Sequence, residues 1–276
     1  MTKKDEDLIK MKRSTFMILI ILAVAVILAA GGLYYYNFNK AKSNIKTKEI
    51  GSIETIDAIV TAIVAKECKI CLNMTELVDE LKMSPFVNVK QSNILFASSR
   101  NAKDFIAKYE ITKLPTLIIQ GDTDKLPLKG FRSVEDGAVL EDIPPPYVDL
   151  EKKDIAGLVD IIYLTDDSCE DCYDVKQHKD IMLFAFGLYL ANENTIDISS
   201  KEGKALLDKY EITNVPTILL SEEAAIYPTI DMVWDNLGTI EEDGRLVFRN
   251  FEMTNDLIFK DIDTGEIINS SSLNEN

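Results

Sequence analysis

The 276-residue sequence predicts an α/β protein in which one N-terminal transmembrane helix precedes two tandem domains. Three observations lead to this prediction. A stretch near the start carries no charged residue, a segment later in the chain recurs after 101 residues, and strand-like apolar runs alternate with segments of helical periodicity. With 46% hydrophobic and 28% charged residues, the chain lacks the low hydrophobicity that signals intrinsic disorder.

The charge-free stretch covers residues 14–36, STFMILIILAVAVILAAGGLYYY. Its length matches the roughly 20 residues that a helix needs to cross a bilayer, and its terminal tyrosines are typical of an interfacial anchor. A cleaved signal peptide is the alternative, although its apolar region usually spans only roughly 7 to 15 residues. Basic residues are slightly more frequent before the stretch than after it, so the short N-terminal tail is expected inside the cell and the rest outside.

The formal net charge of −16 indicates an acidic, soluble surface. Such a surface repels nucleic acid and anionic headgroups, so no nucleic-acid partner is expected and contact with membrane lipid is assigned to the N-terminal helix alone. The sequence contains no twelve-residue calcium loop, and no cofactor or metal ion is expected.

The internal repeat is most evident in Lys-Tyr-Glu-Ile-Thr, which occurs at residues 108–112 and again at 209–213. The same offset of 101 residues relates other landmarks without a gap: Cys68 to Cys169, Cys71 to Cys172, and Pro115 to Pro216. All four cysteines therefore occupy equivalent positions of a duplicated unit. The predicted division is a cytoplasmic tail (1–13), a transmembrane helix (14–36), a linker (37–52), a first domain (53–146), a second domain (147–260) and a C-terminal tail (261–276).

Zinc is one alternative for the cysteines, because two C-x-x-C pairs supply four thiolates. Zinc ribbons separate their pairs by roughly 15 to 20 residues, whereas a whole domain separates Cys71 from Cys169. The spacing therefore disfavours a single intramolecular zinc site.

Each unit is predicted to follow the order β-α-β-α-β. A β-branched apolar run at 58–65 or 157–165 suits a buried strand, and a second strand is predicted at 93–99 or 194–200. The first helix follows each cysteine pair, with Leu72, Leu77, Val78 and Leu81 on its apolar face in unit one and Val175, Ile181 and Met182 in unit two. The second helix ends in the repeated Lys-Tyr-Glu-Ile-Thr, and a further strand follows each proline.

This order, with C-x-x-C at the start of the first helix and with KLPTLII and NVPTILL downstream, resembles the thioredoxin fold of thioredoxin and protein disulfide isomerase. The resemblance covers most of residues 53–260. It implies a cis peptide bond before Pro115 and Pro216, with each proline facing its cysteine pair.

The resemblance also assigns roles to the cysteines. It implies that Cys68 and Cys169 are nucleophiles and that Cys71 and Cys172 resolve the mixed disulfide. A position at a helix N-terminus supports these roles, because unpaired backbone amides favour the thiolate.

The sequence departs from the family in several places. No aromatic residue precedes either pair, Gly-Pro is absent between the cysteines, and Ala62 and Tyr163 stand where thioredoxin has a buried acid. The single histidine, His178, is predicted to lie at the surface, and the single tryptophan, Trp234, is predicted to pack in the core.

Local charge distinguishes the two pairs. Lys69 favours a thiolate at Cys68, whereas several carboxylates crowd Cys169 and disfavour one. These are Asp166, Asp167, Glu170 and Asp171. The first pair is therefore predicted to be the more nucleophilic.

The sequence predicts a membrane-anchored thiol-disulfide oxidoreductase-like protein that acts on protein thiols and disulfides, with a membrane redox partner as a further expectation. It is expected in the cell membrane as a single-pass protein whose domains lie on the extracytoplasmic side, where conditions are oxidising. The alternative is a redox-silent binding or scaffold module of the same fold, in which both pairs are structural disulfides.

Overall fold

The computed structural model describes residues 55–126, 128–252 and 257–275. They form a mixed α/β structure with two sheet-containing domains. The predicted transmembrane helix at residues 14–36 lies outside the described residues. Within the described ranges, no helix combines the length and the apolar character that crossing a membrane requires.

The first domain follows the predicted β-α-β-α-β order and then continues as strands. Its elements are β1 (Ile56–Val64), α1 (Met74–Met83), β2 (Val87–Phe96), α2 (Arg100–Lys108), β3 (Lys113–Leu114), β4 (Thr116–Gln120), a 3₁₀ turn (Thr123–Lys125), β5 (Phe131–Val134), β6 (Gly137–Leu140), β7 (Tyr147–Asp149) and β8 (Asp154–Ala156). The main sheet has the order β2-β1-β4-β6-β5, with β1 parallel to β2 and antiparallel to β4. β1 is therefore internal, and β2 is an edge strand.

The second domain repeats this arrangement. Its elements are β9 (Leu158–Thr165), β10 (Tyr189–Asp197), α3 (Lys201–Tyr210), β11 (Asn214–Val215), β12 (Thr217–Leu220), β13 (Gly238–Ile240), β14 (Leu246–Phe248), β15 (Ile258–Asp261) and β16 (Ile267–Asn269). Short helical segments lie at Val175–Gln177, His178–Asp180, Ile181–Ala185, Glu222–Ile226, Pro228–Asp231, Trp234–Leu237 and Ser270–Glu275. The sheet order β10-β9-β12-β14-β13 matches that of the first domain strand for strand.

The central strand forms where the apolar run predicts it. Val60, Ala62 and Ile63 of β1 are fully buried, because neighbouring strands cover both edges and packed side chains cover both faces. In the second domain, Ile161 and Leu164 of β9 are buried in the same way. Both C-x-x-C pairs follow directly from these central strands.

A small second sheet completes each domain, with the order β3-β7-β8 in the first and β11-β15-β16 in the second. In the first domain, Leu114 pairs with Val148, and in the second, Val215 pairs with Lys260. These pairings attach residues 147–156 to the first domain and residues 258–269 to the second.

The repeated Lys-Tyr-Glu-Ile-Thr segment has a structural role, which is visible at the end of α2. Tyr109 Oη and Lys108 Nζ donate hydrogen bonds of 2.9 and 2.7 Å to the carboxylate of Asp136. Hydrogen bonding from Lys108 lowers the pKa of Asp136 to about 2. Arg132 Nη2 donates to the carbonyl of Tyr109 over 2.7 Å, which satisfies one of the unpaired carbonyls at the helix end.

The same network recurs at the end of α3. Tyr210 Oη and Lys209 Nζ donate to Asp243 over 2.8 and 2.6 Å, and Arg249 donates to the carbonyl of Tyr210. Hydrogen bonding from Lys209 lowers the pKa of Asp243 to about 2. The repeat therefore fastens each second helix to the β-hairpin of its own domain.

The threonine after each proline also has the same partner in both domains. Thr116 and Thr217 are fully buried, and their hydroxyls donate 2.6 Å hydrogen bonds to the carbonyls of Leu140 and Phe248. A buried hydroxyl without such a partner is costly. The Pro-Thr pair thus joins the cysteine-facing turn to the next strand of the sheet.

Trp234 packs in the core, as predicted. It is 1% exposed, and its Nε1 donates to the carbonyl of Thr239 over 3.0 Å. The surrounding cluster includes Tyr163, Ile218, Ile230, Leu246, Phe248 and Phe251.

Candidate functional site

The first cysteine pair forms a disulfide, Cys68–Cys71, in the loop between β1 and α1. The prediction that the pair opens the helix is wrong, because Asn73 is the N-cap and α1 begins only at Met74. The Asn73 side chain accepts a 3.0 Å hydrogen bond from the Thr75 amide, which satisfies one of the first amides of the helix. Since a helix dipole acts mainly within its first turn, the helix gives Cys68 little support as a thiolate.

The second pair forms the disulfide Cys169–Cys172, again directly after a central strand. The continuous helix predicted after it is absent, and three short helical segments occupy residues 175–185. Val175 and Met182 are buried as predicted, but Ile181 is 41% exposed. The change of helical type along the segment breaks the regular spacing that would have kept all three on one face.

The peptide bonds before Pro115 and Pro216 are both cis, which confirms the prediction. Pro115 lines one groove together with Cys68 and Cys71. In the second domain, Cys172 Sγ lies 4.0 Å from the carbonyl oxygen of Val215, the residue before Pro216. The structure therefore brings all six predicted site residues together as two equivalent groups of three.

The two cysteines of each disulfide differ in their solvent exposure. Cys68 and Cys169 are each 9% exposed, whereas Cys71 and Cys172 are half-buried. The assignment of the first cysteine as nucleophile stays a prediction, since the second residue of each pair presents the larger exposed fraction. All four cysteines are joined in these two disulfides, so the four-thiolate zinc site is not the arrangement found.

The backbone before each proline is already paired with the chain itself. In the first domain, Leu150 N donates to Thr112 O over 2.8 Å, next to the pairing of β3 with β7. In the second, Ile262 N donates to Thr213 O over 2.7 Å, next to the pairing of β11 with β15. The segment before each proline is therefore paired on one edge within its own domain, as the end strand of the small sheet.

The negative charge near the second pair is partly compensated by a lysine from a distant strand. Asp166 is 8% exposed, and its Oδ2 lies 2.7 Å from Lys260 Nζ. Burial raises the pKa of Asp166, but hydrogen bonds from Lys260 and Ser168 outweigh burial and lower it overall. Lys260 lies on β15, far along the chain, so no local pattern could have indicated it.

The other three carboxylates near Cys169 remain exposed. They are Asp167, Glu170 and Asp171. The negative surroundings expected at the second pair are therefore present. They come from these three carboxylates, because Lys260 compensates the charge of Asp166.

His178 is buried, so its predicted surface position is wrong. It is 4% exposed, and its Nε2 lies 3.2 Å from Tyr173 Oη. Tyr173 Oη donates a 2.9 Å hydrogen bond to the carbonyl of Pro216. Because its only proton is used in this bond, Tyr173 Oη can act only as the acceptor towards His178, whose Nε2 then carries the proton. Burial lowers the pKa of His178 to about 4 and raises that of Tyr173.

An apolar groove of about 360 Å³ lies beside the first pair. Leu72 precedes α1 and is 37% exposed, and Ile94 and Phe96 on edge strand β2 are 45% and 53% exposed. Lys69 is the one charged residue among those that line the groove. The groove could not be predicted from the sequence, because the pattern of residues 93–99 indicates only a strand.

Adding 101 to these residue numbers gives the equivalent positions in the second domain. Ile94 and Phe96 correspond to Thr195 and Asp197, and Leu72 corresponds to Tyr173. The register supports the equivalence, because Val64 pairs with Phe96 as Thr165 pairs with Asp197. The second pair therefore has polar residues and Tyr173 where the first has its apolar groove.

Within the part of the chain that the structure describes, no cluster of three His, Cys, Asp or Glu side chains could hold a metal ion. No protein-family model matches the chain, and a comparison with curated proteins finds no match. Among solved structures, the chain is similar to one described as the crystal structure of full-length ERdj5. The identity is 8% and the TM-score is 0.18, and the match covers 63% of this chain and 26% of that one. The match thus spans about a quarter of that structure's length.

Proposed function

We propose that this chain is a membrane-anchored thiol-disulfide oxidoreductase-like protein with two thioredoxin-like domains, which acts on protein thiols and disulfides. One observation carries the proposal: a disulfide lies beside a cis-proline at equivalent positions of both domains. Repeated structural residues explain the fold, but they do not require a cysteine pair next to each proline.

Disulfide exchange at either pair needs no reactant other than the protein disulfide and two substrate thiols. A substrate thiolate attacks one sulfur of the disulfide, a mixed disulfide forms, and the other cysteine leaves as a thiolate. A second substrate thiolate then attacks the substrate sulfur of the mixed disulfide. The substrate leaves with a disulfide, and the protein pair, having gained two electrons, becomes a dithiol.

The first pair is proposed as the leading site. It lies in the open groove, with Lys69 as the one charged lining residue. The second pair has exposed Glu170 and Asp171 between its cysteines, and Tyr173 directly follows it. Approach of a substrate thiolate is disfavoured by like charge at the second site and favoured by Lys69 at the first.

Redox titration of the full-length protein tests the proposal. In graded glutathione and dithiothreitol buffers, at least the first pair is expected to be reduced at potentials in the range of known exchange enzymes, roughly −120 to −270 mV. Alkylation followed by mass spectrometry of the cysteine peptides measures each pair separately. If both pairs remain oxidised well below roughly −300 mV, they are structural disulfides and the scaffold alternative replaces the proposal.

Single substitutions provide the internal comparison for this experiment. Cys68→Ser is expected to reduce disulfide exchange more than Cys169→Ser does, by about fivefold, since one unit charge at about 4 Å in water contributes about 1 kcal/mol. Added salt should narrow the difference, because exposed charges are screened over about 10 Å at 0.1 M. A larger loss from Cys169→Ser would remove the first pair from its leading role.

The proposed location in the cell membrane is based on the sequence of residues 14–36. Both domains are proposed to lie on the extracytoplasmic side. A membrane redox partner is proposed as the source or acceptor of electrons. The full-length chain is expected to remain in the membrane pellet after carbonate extraction, whereas a chain starting at Lys40 is expected in the supernatant. A mature N-terminus near Gly31, found by N-terminal sequencing, would instead demonstrate a cleaved signal peptide.

A further inference from the structure

We propose that Lys260 is a positioning residue for the second cysteine pair. It holds the turn before Cys169 through Asp166 and Ser168, and it cancels the charge of Asp166 beside the sulfur that has to become negative during exchange. The inference rests on the proposed exchange function and adds the residue that supports a thiolate at the second pair.

The turn before Cys169 is built around Asp166, the first residue after β9. The carbonyl of Asp166 accepts a 3.0 Å hydrogen bond from the Cys169 amide. Its carboxylate Oδ1 accepts hydrogen bonds from the amide and the hydroxyl of Ser168 over 2.9 and 2.6 Å. Asp166 therefore fixes the path by which the chain enters the cysteine pair.

Lys260 reaches this turn from β15. Its Nζ donates to Asp166 Oδ2 over 2.7 Å and to Ser168 Oγ over 3.0 Å. The Lys260 side chain is 25% exposed and that of Asp166 is 5% exposed, so solvent and salt screen this ion pair less than a surface pair. The backbone of Lys260 pairs with Val215, directly before Pro216. One residue thus connects the cis-proline segment with the turn before Cys169.

The charge of Lys260 matters because the other charged groups around the second pair are acidic. A carboxylate beside a cysteine disfavours the thiolate, and more so where solvation is poor, as it is at Asp166. Lys260 is the cation that bonds to this turn among the described residues. The remaining carboxylates near it are Asp167, Glu170 and Asp171, which are exposed, and Asp197 on β10, which accepts a 2.7 Å hydrogen bond from the Asp167 amide.

The first domain has apolar residues at both positions of this ion pair. The offset of 101 residues places Ala65 at the position of Asp166. The strand pairing before each proline places Val148 at the position of Lys260. The ion pair is therefore a feature of the second domain and not of the duplicated unit.

This comparison separates the charge of the ion pair from a purely structural role. Ala65 and Val148 are buried in the apolar cluster that also contains Cys68. The backbone turn is nevertheless the same, because the Cys68 amide donates to the carbonyl of Ala65 over 3.4 Å. Since the turn forms there without an ion pair, we assign the charges at the second pair to the chemistry of its sulfur.

The test measures thiolate formation in the full-length protein. Cys71→Ser and Cys172→Ser together leave Cys68 and Cys169 as the two free cysteines, and this double variant is the reference. After reduction, the rate of alkylation by iodoacetamide is followed over a range of pH, with mass spectrometry of the two cysteine peptides. The midpoint of each rate profile reports where that cysteine becomes a thiolate.

The two partners of the ion pair are expected to shift the Cys169 midpoint in opposite directions. Lys260→Met leaves Asp166 uncompensated and should raise the midpoint by about half a pH unit, which is about threefold less thiolate at a given pH below it. Asp166→Asn leaves Lys260 uncompensated and should lower the midpoint by a similar amount. Loss of a purely structural contact would shift both variants in the same direction.

Further variants check that charge is the cause. Lys260→Arg keeps the positive charge and is expected to retain the reference midpoint. Combining Lys260→Met with Asp166→Asn removes both charges and should bring the midpoint back close to the reference. Cys68, measured in the same samples, is the internal control and is expected to keep its midpoint in every variant.

Asp166→Asn decides the result even if Lys260→Met fails to fold, because asparagine keeps the size of the side chain and an oxygen that can accept from Ser168. An unchanged or raised Cys169 midpoint in Asp166→Asn overturns the inference and leaves the exchange function standing. An equal shift at Cys68 overturns it as well. If the redox titration shows both pairs to be structural disulfides, the exchange function fails, and the role of Lys260 in exchange fails with it.

Discussion

Replacing Trp234 with alanine is expected to lower the free energy of unfolding by about 3–5 kcal/mol, the range for large aromatic residues removed from a packed core. Trp234 is 1% exposed and belongs to the largest apolar cluster of the second domain. The substitution also leaves the carbonyl of Thr239 without its indole donor. Urea unfolding followed by circular dichroism measures the loss, since the variant no longer contains a tryptophan for fluorescence.

Met232→Ala serves as the control for this substitution. Met232 lies two residues away in the same connection but is 79% exposed, so its removal is expected to change the unfolding free energy by less than about 0.5 kcal/mol. If Trp234→Ala and Met232→Ala had equally small effects, the indole would not be part of the core. Trp234→Phe, which keeps most of the apolar volume, is expected to fall between the two.

His178 is expected to make the stability of the protein depend on pH above the range in which carboxylates titrate. Its pKa is lowered by burial from 6.5 to about 4, so the unfolded chain binds the proton more tightly than the folded one. The stabilisation is complete above pH 6.5 and is lost as the pH falls towards 4. It amounts to roughly 3 kcal/mol in total, of which about 2 kcal/mol disappears between pH 7 and 5.

The single histidine makes this measurement specific. The imidazole proton resonance is expected to titrate with a midpoint near pH 4, and urea unfolding at pH 7 and pH 5 should show the loss. His178→Gln keeps a donor for Tyr173 but does not titrate, so its stability should vary little over this interval. A resonance midpoint near 6.5 would show that the ring is hydrated and that the buried contact with Tyr173 is not maintained.

Much of the fold followed from periodicity, and the physical reason is that the relevant patterns are local. The apolar runs at 58–65 and 157–165 predicted β1 and β9, because strands that are buried on both faces need continuous apolar sequence. The repeat aligned both cysteine pairs with prolines that are cis in the structure. Those residues form the candidate site, so its centre was predictable from the sequence.

The parts that were missed depend on contacts between distant segments. Lys260 neutralises Asp166 across 94 residues, and no local pattern connects a lysine on one strand to a carboxylate at the end of another. The same holds for His178, whose burial depends on Phe248 at a ring distance of 5.0 Å. Helical spacing alone assigned His178 to the surface, because it assumed that one regular helix follows Cys172.

The groove was missed for a different reason. A strand prediction gives the alternation of Ile94 and Phe96, but it does not show that β2 lies at an edge. In a central strand the same residues would be expected in the core, whereas on edge strand β2 they are about half exposed. Sheet order, which is a property of the whole domain, decides between these two outcomes.

The pairing of β3 with β7 and of β11 with β15 has a consequence for synthesis on the ribosome. The first domain can close its small sheet once residue 156 has emerged, so its cysteine pair can reach its final surroundings while translation continues. The second domain needs β15 and β16, at residues 258–269, which are synthesised long after its cysteine pair. Cys169 and Cys172 are therefore made before β15 can pair with the segment that precedes Pro216, and during that interval they are open to a folding catalyst.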